Sequence, residues 1–199
     1  MARFLSRVFP SATNMIRLDH THVLSTYHQY KPGAPMRVKR GLVNTICAAL
    51  EVHAQLEEEI FYPAVRAVTQ DELIAKSFDE HREMRQLIEQ LRQMQPEDEA
   101  YDQTLAELMR DVMHHVADEE TLVIPEAERL LAAQLGELGL RMTRRRLELV
   151  VPRTGEIALN MGRAASGNTA ALAVVGLVAV GMMAARRGSR RRMAARVAR

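Results

Sequence analysis

Cysteine, tryptophan and aromatic residues are scarce in this chain. Cys47 is the single cysteine among 199 residues, there is no tryptophan, and the aromatic residues together make up 4%. One cysteine excludes an intramolecular disulfide and a Cys-x-x-Cys redox or zinc motif, and it fits a reducing compartment. Hydrophobic residues still make up 47% of the chain. With few aromatics and no strand-like alternation before residue 150, this composition predicts an all-α protein.

The charge is divided between two parts of the chain. Residues 1–140 contain 14 Lys and Arg against 23 Asp and Glu, whereas residues 141–199 contain 13 Arg against two Glu. The formal net charge of +2 therefore hides an acidic body and a basic tail. A basic tail predicts a polyanionic partner, either an anionic membrane or nucleic acid. Nucleic acid is the weaker alternative, because the tail has no aromatic residue on which bases would stack.

One motif occurs twice within the first 130 residues. Each copy has a His, two Glu residues at the fourth and fifth following positions, and then a Pro. An acidic residue followed by a His precedes each copy by about one helix and a loop, as Asp19-His20 and Glu80-His81. The repeat predicts two copies of one helical unit. The two motifs read His53-x-x-x-Glu57-Glu58-x-x-x-x-Pro63 and His115-x-x-x-Glu119-Glu120-x-x-x-x-Pro125.

Four segments have apolar residues at helical spacing, over residues 14–30, 36–68, 71–93 and 99–133. Short loops between them predict antiparallel neighbours and hence an up-down-up-down four-helix bundle with a pseudo-two-fold axis. Pro63 and Pro125 each predict a kink or a helix end. Each apolar stripe carries one His, so the four should converge inside the bundle: His20, His53, His81 and His115.

The stripe histidines and the Glu residues one turn after two of them are the candidate metal ligands. A buried carboxylate without a partner is costly, and two of them near four imidazoles favour a bound cation. Imidazole and carboxylate without thiolate suit iron, manganese or zinc, and this number of ligands favours two ions. The predicted set is His20, His53, Glu57, His81, His115 and Glu119.

Two alternatives accompany this prediction. The same residues would also form a structural His–Glu hydrogen-bond network without metal, and His22 competes with His20 for the first ligand position. Four further residues are candidates for a supporting layer around the ligands: Glu58, Glu120, Tyr27 and Arg85.

At these motifs the chain resembles the hemerythrin family in its bacterial HHE cation-binding form, over roughly residues 14–133. The resemblance implies a non-haem centre of two iron ions, Fe²⁺ or Fe³⁺, joined by an oxo or hydroxo bridge and held by the six predicted ligands. It also implies that Glu57 and Glu119 are the bridging carboxylates. The position one turn after His81 is Arg85, where the oxygen carriers of this family have another His, and Glu119 follows His115 by four positions where they have Asp at five.

These departures favour sensing or reduction of oxygen, peroxide or nitric oxide over simple oxygen carriage. Enzymatic consumption of peroxide or nitric oxide fits such a centre. The alternatives are a non-enzymatic iron-binding or iron-sensing module, and a structural membrane adaptor with a vestigial site.

The segments outside the bundle have their own predictions. Residues 1–13 are expected to form an arm, residues 134–167 a basic helix and linker, and residues 187–199 an Arg-rich tail. Residues 168–186 contain the uncharged run Thr169 to Ala185, which as a helix of about 26 Å would span a thin membrane or lie on it. A buried or interfacial helix is the alternative. No export signal precedes the bundle, which predicts a cytoplasmic metal domain, either membrane-tethered or soluble.

Overall fold

The computed structural model describes residues 10–69 and 72–164, and over these residues the chain consists of helices joined by short turns. Two π-helical turns interrupt long helices without ending them, so four long segments are followed by a fifth. Each predicted helix end lies within about three residues of the observed one. The elements are α1 (Ala12–His28), α2 (Met36–Leu56), π1 (Glu57–Phe61), α3 (Tyr62–Arg66), α4 (Glu72–Gln93), α5 (Tyr101–Asp118), π2 (Glu119–Val123), α6 (Ile124–Leu130), α7 (Leu135–Val150), a 3-10 turn (Val151–Arg153) and α8 (Thr154–Ala164).

Helix α1 begins at a capped turn and buries one stripe. The Ser11 side chain accepts a hydrogen bond from the backbone N–H of Asn14 at 3.3 Å, which satisfies one of the amides left free at the helix start. Ile16, His20 and Val23 are buried, as their spacing of four and three residues predicts. The stripe therefore carries His20 into the interior of the bundle.

Two hydrophobic clusters lie above and below the level of the stripe histidines. On each of the four long segments, a residue of one cluster comes before the stripe His and a residue of the other cluster comes after it. Which cluster comes first alternates from one segment to the next. Consecutive segments therefore run in opposite directions, which confirms the predicted four-helix bundle. Cluster A contains Ile16, Leu56, Ile74 and Val123, and cluster B contains Val23, Leu50, Met84 and Val112.

The two motif prolines follow π-helical turns, where the sequence predicts a kink or a helix end. The backbone N–H of Tyr62 donates to the carbonyl of Glu57, and that of Ile124 to the carbonyl of Glu119, five residues back in each case. The extra residue in each turn shifts the hydrogen-bond register. Each proline then lies in the first turn of the next helix, where its missing amide costs little. The helix continues, and each π turn begins at a predicted ligand Glu.

Helix α7 packs against α1 and adds to cluster A. Its Leu138 and Met142 are buried in that cluster. Gly139 allows the close approach, since a Cβ atom there would lie 2.3 Å from the carbonyl oxygen of Pro10. A fifth helical segment therefore covers the α1 side of the four-helix bundle.

Helix α8 packs against α2 at a second glycine. A Cβ atom at Gly41 would lie 2.5 Å from the backbone nitrogen of Ala164, and the Asn44 side-chain amide donates to the buried Asn160 at 3.2 Å. The sequence predicts a linker in this part of residues 134–167. Up to Ala164 the structure has a second packed helix instead, because small residues on α2 give α8 a surface to contact.

The apolar run of residues 169–185 and the Arg-rich tail lie outside the described residues, as does most of the predicted N-terminal arm. Among the helices that the structure does describe, none has both the length and the apolar character that a membrane crossing requires.

Candidate metal centre

Six predicted ligands meet in one buried layer between clusters A and B. Each is less than a tenth exposed, and both Glu residues are fully buried. Two groups of ligand atoms lie close enough to hold an ion, with all atoms of a group within 4.8 Å of one another, and Glu57 belongs to both groups. The groups are His20, His53, Glu57 and Glu119, and Glu57, His81 and His115.

Each carboxylate lies between two histidine pairs. The rings of His20 and His53 are 5.0 Å apart, and those of His81 and His115 are 4.7 Å apart. One oxygen of Glu57 lies 3.2 Å from Nε2 of His53 and 3.4 Å from Nε2 of His81. Each pair could therefore hold one ion, with Glu57 reaching both.

Glu119 has the matching position on the other side of the layer. Its Oε2 atom lies 3.2 Å from Nε2 of His20 and 3.8 Å from Nε2 of His115, so it also contacts one member of each pair. A carboxylate in this place can bridge two cations with its two oxygens. The arrangement of Glu57 and Glu119 thus follows the pseudo-two-fold symmetry of the repeated motif.

Several buried polar atoms in this layer make no hydrogen bond, although nearly all buried polar atoms in proteins do. They are Nε2 of His20 and His53, Oε1 of Glu57, and both carboxylate oxygens of Glu119. Nε2 of His20 and Oε2 of Glu119 lie 3.2 Å apart, but in an orientation that does not pair them. A structural His–Glu network would leave none of these atoms free. Ligand atoms of these four residues that lie within 4.8 Å of one another fit a cation instead.

The electrostatics of the layer favour the same conclusion. Burial, together with the neighbouring carboxylate of Glu119, raises the pKa of Glu57 well above its ordinary value. Burial opposes ionisation of Glu119 too, but contact with His20 and the charge of His115 outweigh it and lower its pKa to about 2. Burial lowers the pKa of His53 to about 4. A cation in the layer would offset the cost of ionising both buried carboxyls together.

Every predicted ligand His contacts a second carboxylate through its other ring nitrogen. Nδ1 of His20 is 2.8 Å from Glu120, and Nδ1 of His81 is 2.9 Å from Glu58, the residue directly after a ligand Glu in each case. Such a contact holds the ring in place and favours a proton on Nδ1, which leaves the Nε2 lone pair available to a metal ion.

The other two histidines use the acidic residues that precede the lone His of each unit. Nδ1 of His53 lies 3.4 Å from Asp19, and Nδ1 of His115 lies 2.9 Å from Glu80. Asp19 and Glu80 are visible in the sequence as parts of the repeat, but the sequence does not indicate that each supports the His of the following helix. The pairing across helices requires the fold.

The remaining predicted supporting residues lie farther out. Arg85 donates to Glu58 at 2.6 Å and so contacts the ligand His81 only through that carboxylate. Tyr27 is half-buried beside cluster B, away from the layer.

The sequence does not predict a role for Tyr62, which stacks on the ring of His81 and whose hydroxyl lies 3.4 Å from Glu57. The two copies of the motif differ at this position, with Tyr62 before Pro63 in the first and Ile124 before Pro125 in the second. That difference is the only sign of a special role in the sequence.

The other histidines stay outside the centre. His22, the alternative to His20, is half-buried on a different face of α1, and burial lowers its pKa. His28 and His114 are exposed. The structure thus brings together the six residues of the predicted set and no further histidine.

A small cavity adjoins the centre on its histidine side. Its volume is about 20 Å³, room for roughly one water-sized molecule. All four histidines of the layer line it, and its other walls are mostly apolar, with Asp19, Glu51 and Arg85 as the charged lining residues. A ligand that reaches the centre through this cavity must be very small. The main apolar wall residues are Val23, Leu50, Ala54, Met84, Ile88 and Val112.

Comparison with known families agrees with this geometry. The family model described as the hemerythrin HHE cation binding domain matches residues 11–127, a range that contains all six converging side chains. The chain belongs to this family. The family membership and the His and Glu clusters together establish a cation-binding domain.

Two other proteins are similar to this HHE chain. The crystal structure of an HHE domain-containing protein, an Rv2633c homolog from Mycobacterium kansasii, has 21% sequence identity and a TM-score of 0.63, and the match covers 81% of this chain and 97% of that one. It confirms the hemerythrin-like fold. A curated protein named DNA nickase from Nostoc sp. is 27% identical over 124 residues, which are 62% of this chain but only 35% of the relative.

Proposed function

We propose that this HHE protein is a non-haem di-iron protein that binds a small oxidant or diatomic gas, namely oxygen, peroxide or nitric oxide. The observation that carries the proposal is the position of Glu57, within 3.4 Å of one Nε2 atom in each histidine pair. A carboxylate shared in this way suits two ions close together. Donors that are imidazole and carboxylate without thiolate suit iron.

His20 and His53 would hold one ion and His81 and His115 the other, with Glu57 and Glu119 shared. Two iron ions would supply redox chemistry and open coordination positions for a small ligand. The protein's own residues orient the imidazoles through the outer carboxylates and exclude bulk water by burial between clusters A and B. Ionised Glu57 and Glu119 would offset part of the positive charge of two bound cations.

The cavity supports a small, weakly polar ligand. Its walls are mainly aliphatic, and its charged neighbours are already paired: Asp19 with Arg146, Glu51 with Arg92 and Arg153, and Arg85 with Glu58. The apolar walls suit a diatomic gas, and sensing of such a ligand is the second candidate function.

DNA nicking is not part of the proposal. The name DNA nickase belongs to a relative of which this chain matches about a third, and its activity need not reside in the shared part. Incubation of metal-loaded protein with supercoiled plasmid tests for DNA nicking directly.

Binding of the Arg-rich tail to an anionic membrane stays a prediction. Sedimentation of the full chain with anionic vesicles, compared with zwitterionic vesicles, tests it.

The central experiment is metal analysis with spectroscopy on the full chain. Protein loaded with Fe²⁺ without oxygen should contain about two irons per chain, and its visible spectrum should change on exposure to nitric oxide, oxygen or peroxide. Steady-state loss of peroxide or nitric oxide would identify an enzyme, whereas a spectral change without turnover would identify a sensor. Binding of zinc alone, with no stable uptake of iron, would refute the di-iron proposal.

A further inference from the structure

The fifth helical segment reaches the metal centre through one side chain. Arg146 of α7 donates from Nη1 and Nη2 to the two oxygens of Asp19 on α1, at 2.7 and 2.5 Å. Asp19 in turn lies 3.4 Å from Nδ1 of His53 on α2. A continuous chain of contacts therefore runs from α7 to a ligand imidazole, through Arg146, Asp19 and His53.

The clamp on Asp19 has the geometry of a fixed, specific contact. Asp19 is only 16% exposed at its side chain, and Arg146 binds it with two parallel N–H groups, the arrangement that best orients a carboxylate. The two parallel contacts therefore hold the carboxylate in one orientation.

Among the four outer carboxylates, Asp19 is the one that a residue of α7 holds. Glu58 is bound by Arg85 of α4, and Glu80 by Lys76 one turn earlier on the same helix. Those contacts lie within the four-helix bundle. Arg146 lies beyond residues 11–127, the range that the family model covers, so the contact adds to the family domain.

We infer that Arg146 is a positioning residue that couples the docking of α7 to metal binding at the His20–His53 pair. The inference rests on the proposed metal site. A clamped Asp19 keeps the His53 ring oriented and its Nδ1 protonated, which directs the Nε2 lone pair to the ion. Because coupling is reciprocal, a metal ion at His53 also strengthens the attachment of α7 to α1.

The neighbouring residue provides a matched control. Arg145 lies on the same helix and also binds a bundle carboxylate with two nitrogens, donating to Glu59 at 2.7 and 3.0 Å. Its exposed side-chain fraction is 32%, nearly the same as the 31% of Arg146. Among the described contacts, Glu59 touches no ligand His. The two arginines thus differ in what their carboxylate partner contacts.

The test compares Arg146→Gln, Arg145→Gln and the parent by anaerobic titration with Fe²⁺, and with Co²⁺ as a spectroscopic probe. Loss of an outer partner of a metal ligand typically weakens metal binding about 10- to 100-fold. Arg146→Gln should lower the affinity for one of the two ions about tenfold and change the spectrum of Co²⁺ bound at that position. Arg145→Gln should bind both ions like the parent, and Arg146→Lys should be intermediate.

A double-variant cycle guards against a folding defect. If Arg146 acts through Asp19, then Arg146→Gln should weaken metal binding little further once Asp19→Asn is present. Independent, additive losses would overturn the inference, as would equal losses in the Arg145 and Arg146 variants or parent-like binding by Arg146→Gln. A parent that takes up fewer than two ions would overturn the proposed function and this inference with it.

Discussion

Glu80 on α4 supports the His of the next helix and not its own neighbour in sequence. Its Oε2 atom lies 2.9 Å from Nδ1 of His115 on α5, whereas the adjacent His81 contacts Glu58. Asp19 and His53 repeat this relationship in the first unit. Each acidic-His dipeptide therefore joins two helices at the level of the candidate metal centre, one residue as an outer support and the other as a predicted ligand.

Replacement of Glu80 tests this support. Glu80→Gln keeps the shape of the side chain but removes the charge that holds His115, so we expect iron affinity to fall about 10- to 100-fold. The exposed Glu83→Gln on the same helix is the control and should bind iron like the parent. Competition with a chelator of known affinity measures both. Equal affinity in the two variants would show that the contact has no role in binding.

Replacement of two adjacent histidines on α5 tests which of them binds metal. His115 is buried and faces the centre, while His114 is exposed. We expect His115→Ala to reduce iron from about two ions per chain to one or fewer, and His114→Ala to retain both. Metal analysis after desalting gives the answer. Parent-like metal content in His115→Ala would contradict the ligand assignment.

The Glu57 carboxylate should favour metal binding but lower the stability of the protein without metal. Its pKa is raised in the folded protein, so without metal its ionisation costs stability as the pH rises above its unfolded pKa. A tenfold change in an ionisation equilibrium corresponds to about 1.4 kcal/mol of stability. Glu57→Gln should therefore leave the metal-free protein as stable as the parent or more stable at pH 7, and the advantage should vanish at acidic pH.

The same variant should lose the two-ion site, because Glu57 reaches both histidine pairs. Urea unfolding of metal-free samples across pH, together with iron titration at pH 7, measures the two effects. A Glu57→Gln protein that is less stable than the metal-free parent at pH 7 would show that the carboxylate is stabilising by itself.

The cavity beside the centre should control access of small ligands. Ala54 lines this cavity, and a Leu side chain there would fill its volume of about 20 Å³. We expect Ala54→Leu to keep both irons but to bind nitric oxide and azide at least tenfold more weakly. Ala117→Leu, at an exposed position on α5, is the control. Unchanged ligand binding by Ala54→Leu would mean that ligands reach the metal by another route.

Helix α7 should depend on the glycine at its contact with α1. A Cβ atom at Gly139 would meet backbone atoms of Pro10 and Ala12 at 2.3 and 2.9 Å, and backbone cannot move aside as a flexible side chain can. We expect Gly139→Ala to destabilise the protein by about 1–3 kcal/mol. Gly155→Ala on α8 has nothing within 4 Å and should be neutral or slightly stabilising. Thermal unfolding of both variants compares them.

Several features of the centre follow from local spacing. His53 and Glu57 are four residues apart, so any helix there places them on one face, and the same holds for His115 and Glu119. The apolar residues on either side of each stripe His determine that the His is buried. Short loops determine antiparallel packing. These are nearest-neighbour properties of the chain, which is why the bundle and the six converging residues could be predicted.

Other features arise from contacts between segments far apart in sequence. Pro63 and Pro125 predict kinks or helix ends, but the structure has π turns that begin at Glu57 and Glu119. A proline indicates lost hydrogen bonds but not how the helix accommodates them. The sequence predicts a linker where α8 lies, because Pro152 and the glycines Gly155 and Gly162 interrupt the helical pattern there. The contacts of α8 with Gly41 and Asn44 on α2 are visible only in the folded structure.

The amino-acid sequence by itself determined the four bundle helices, the alternation of their directions and the types of the candidate ligands, because periodicity and residue chemistry act over a few positions. Only the tertiary structure decided which carboxylate supports which histidine, how large the ligand cavity is, and that Arg146 joins the centre from outside the bundle. Those properties depend on the distances between side chains on different helices, and a distance across a core of close-packed side chains is set by the packing of the whole bundle.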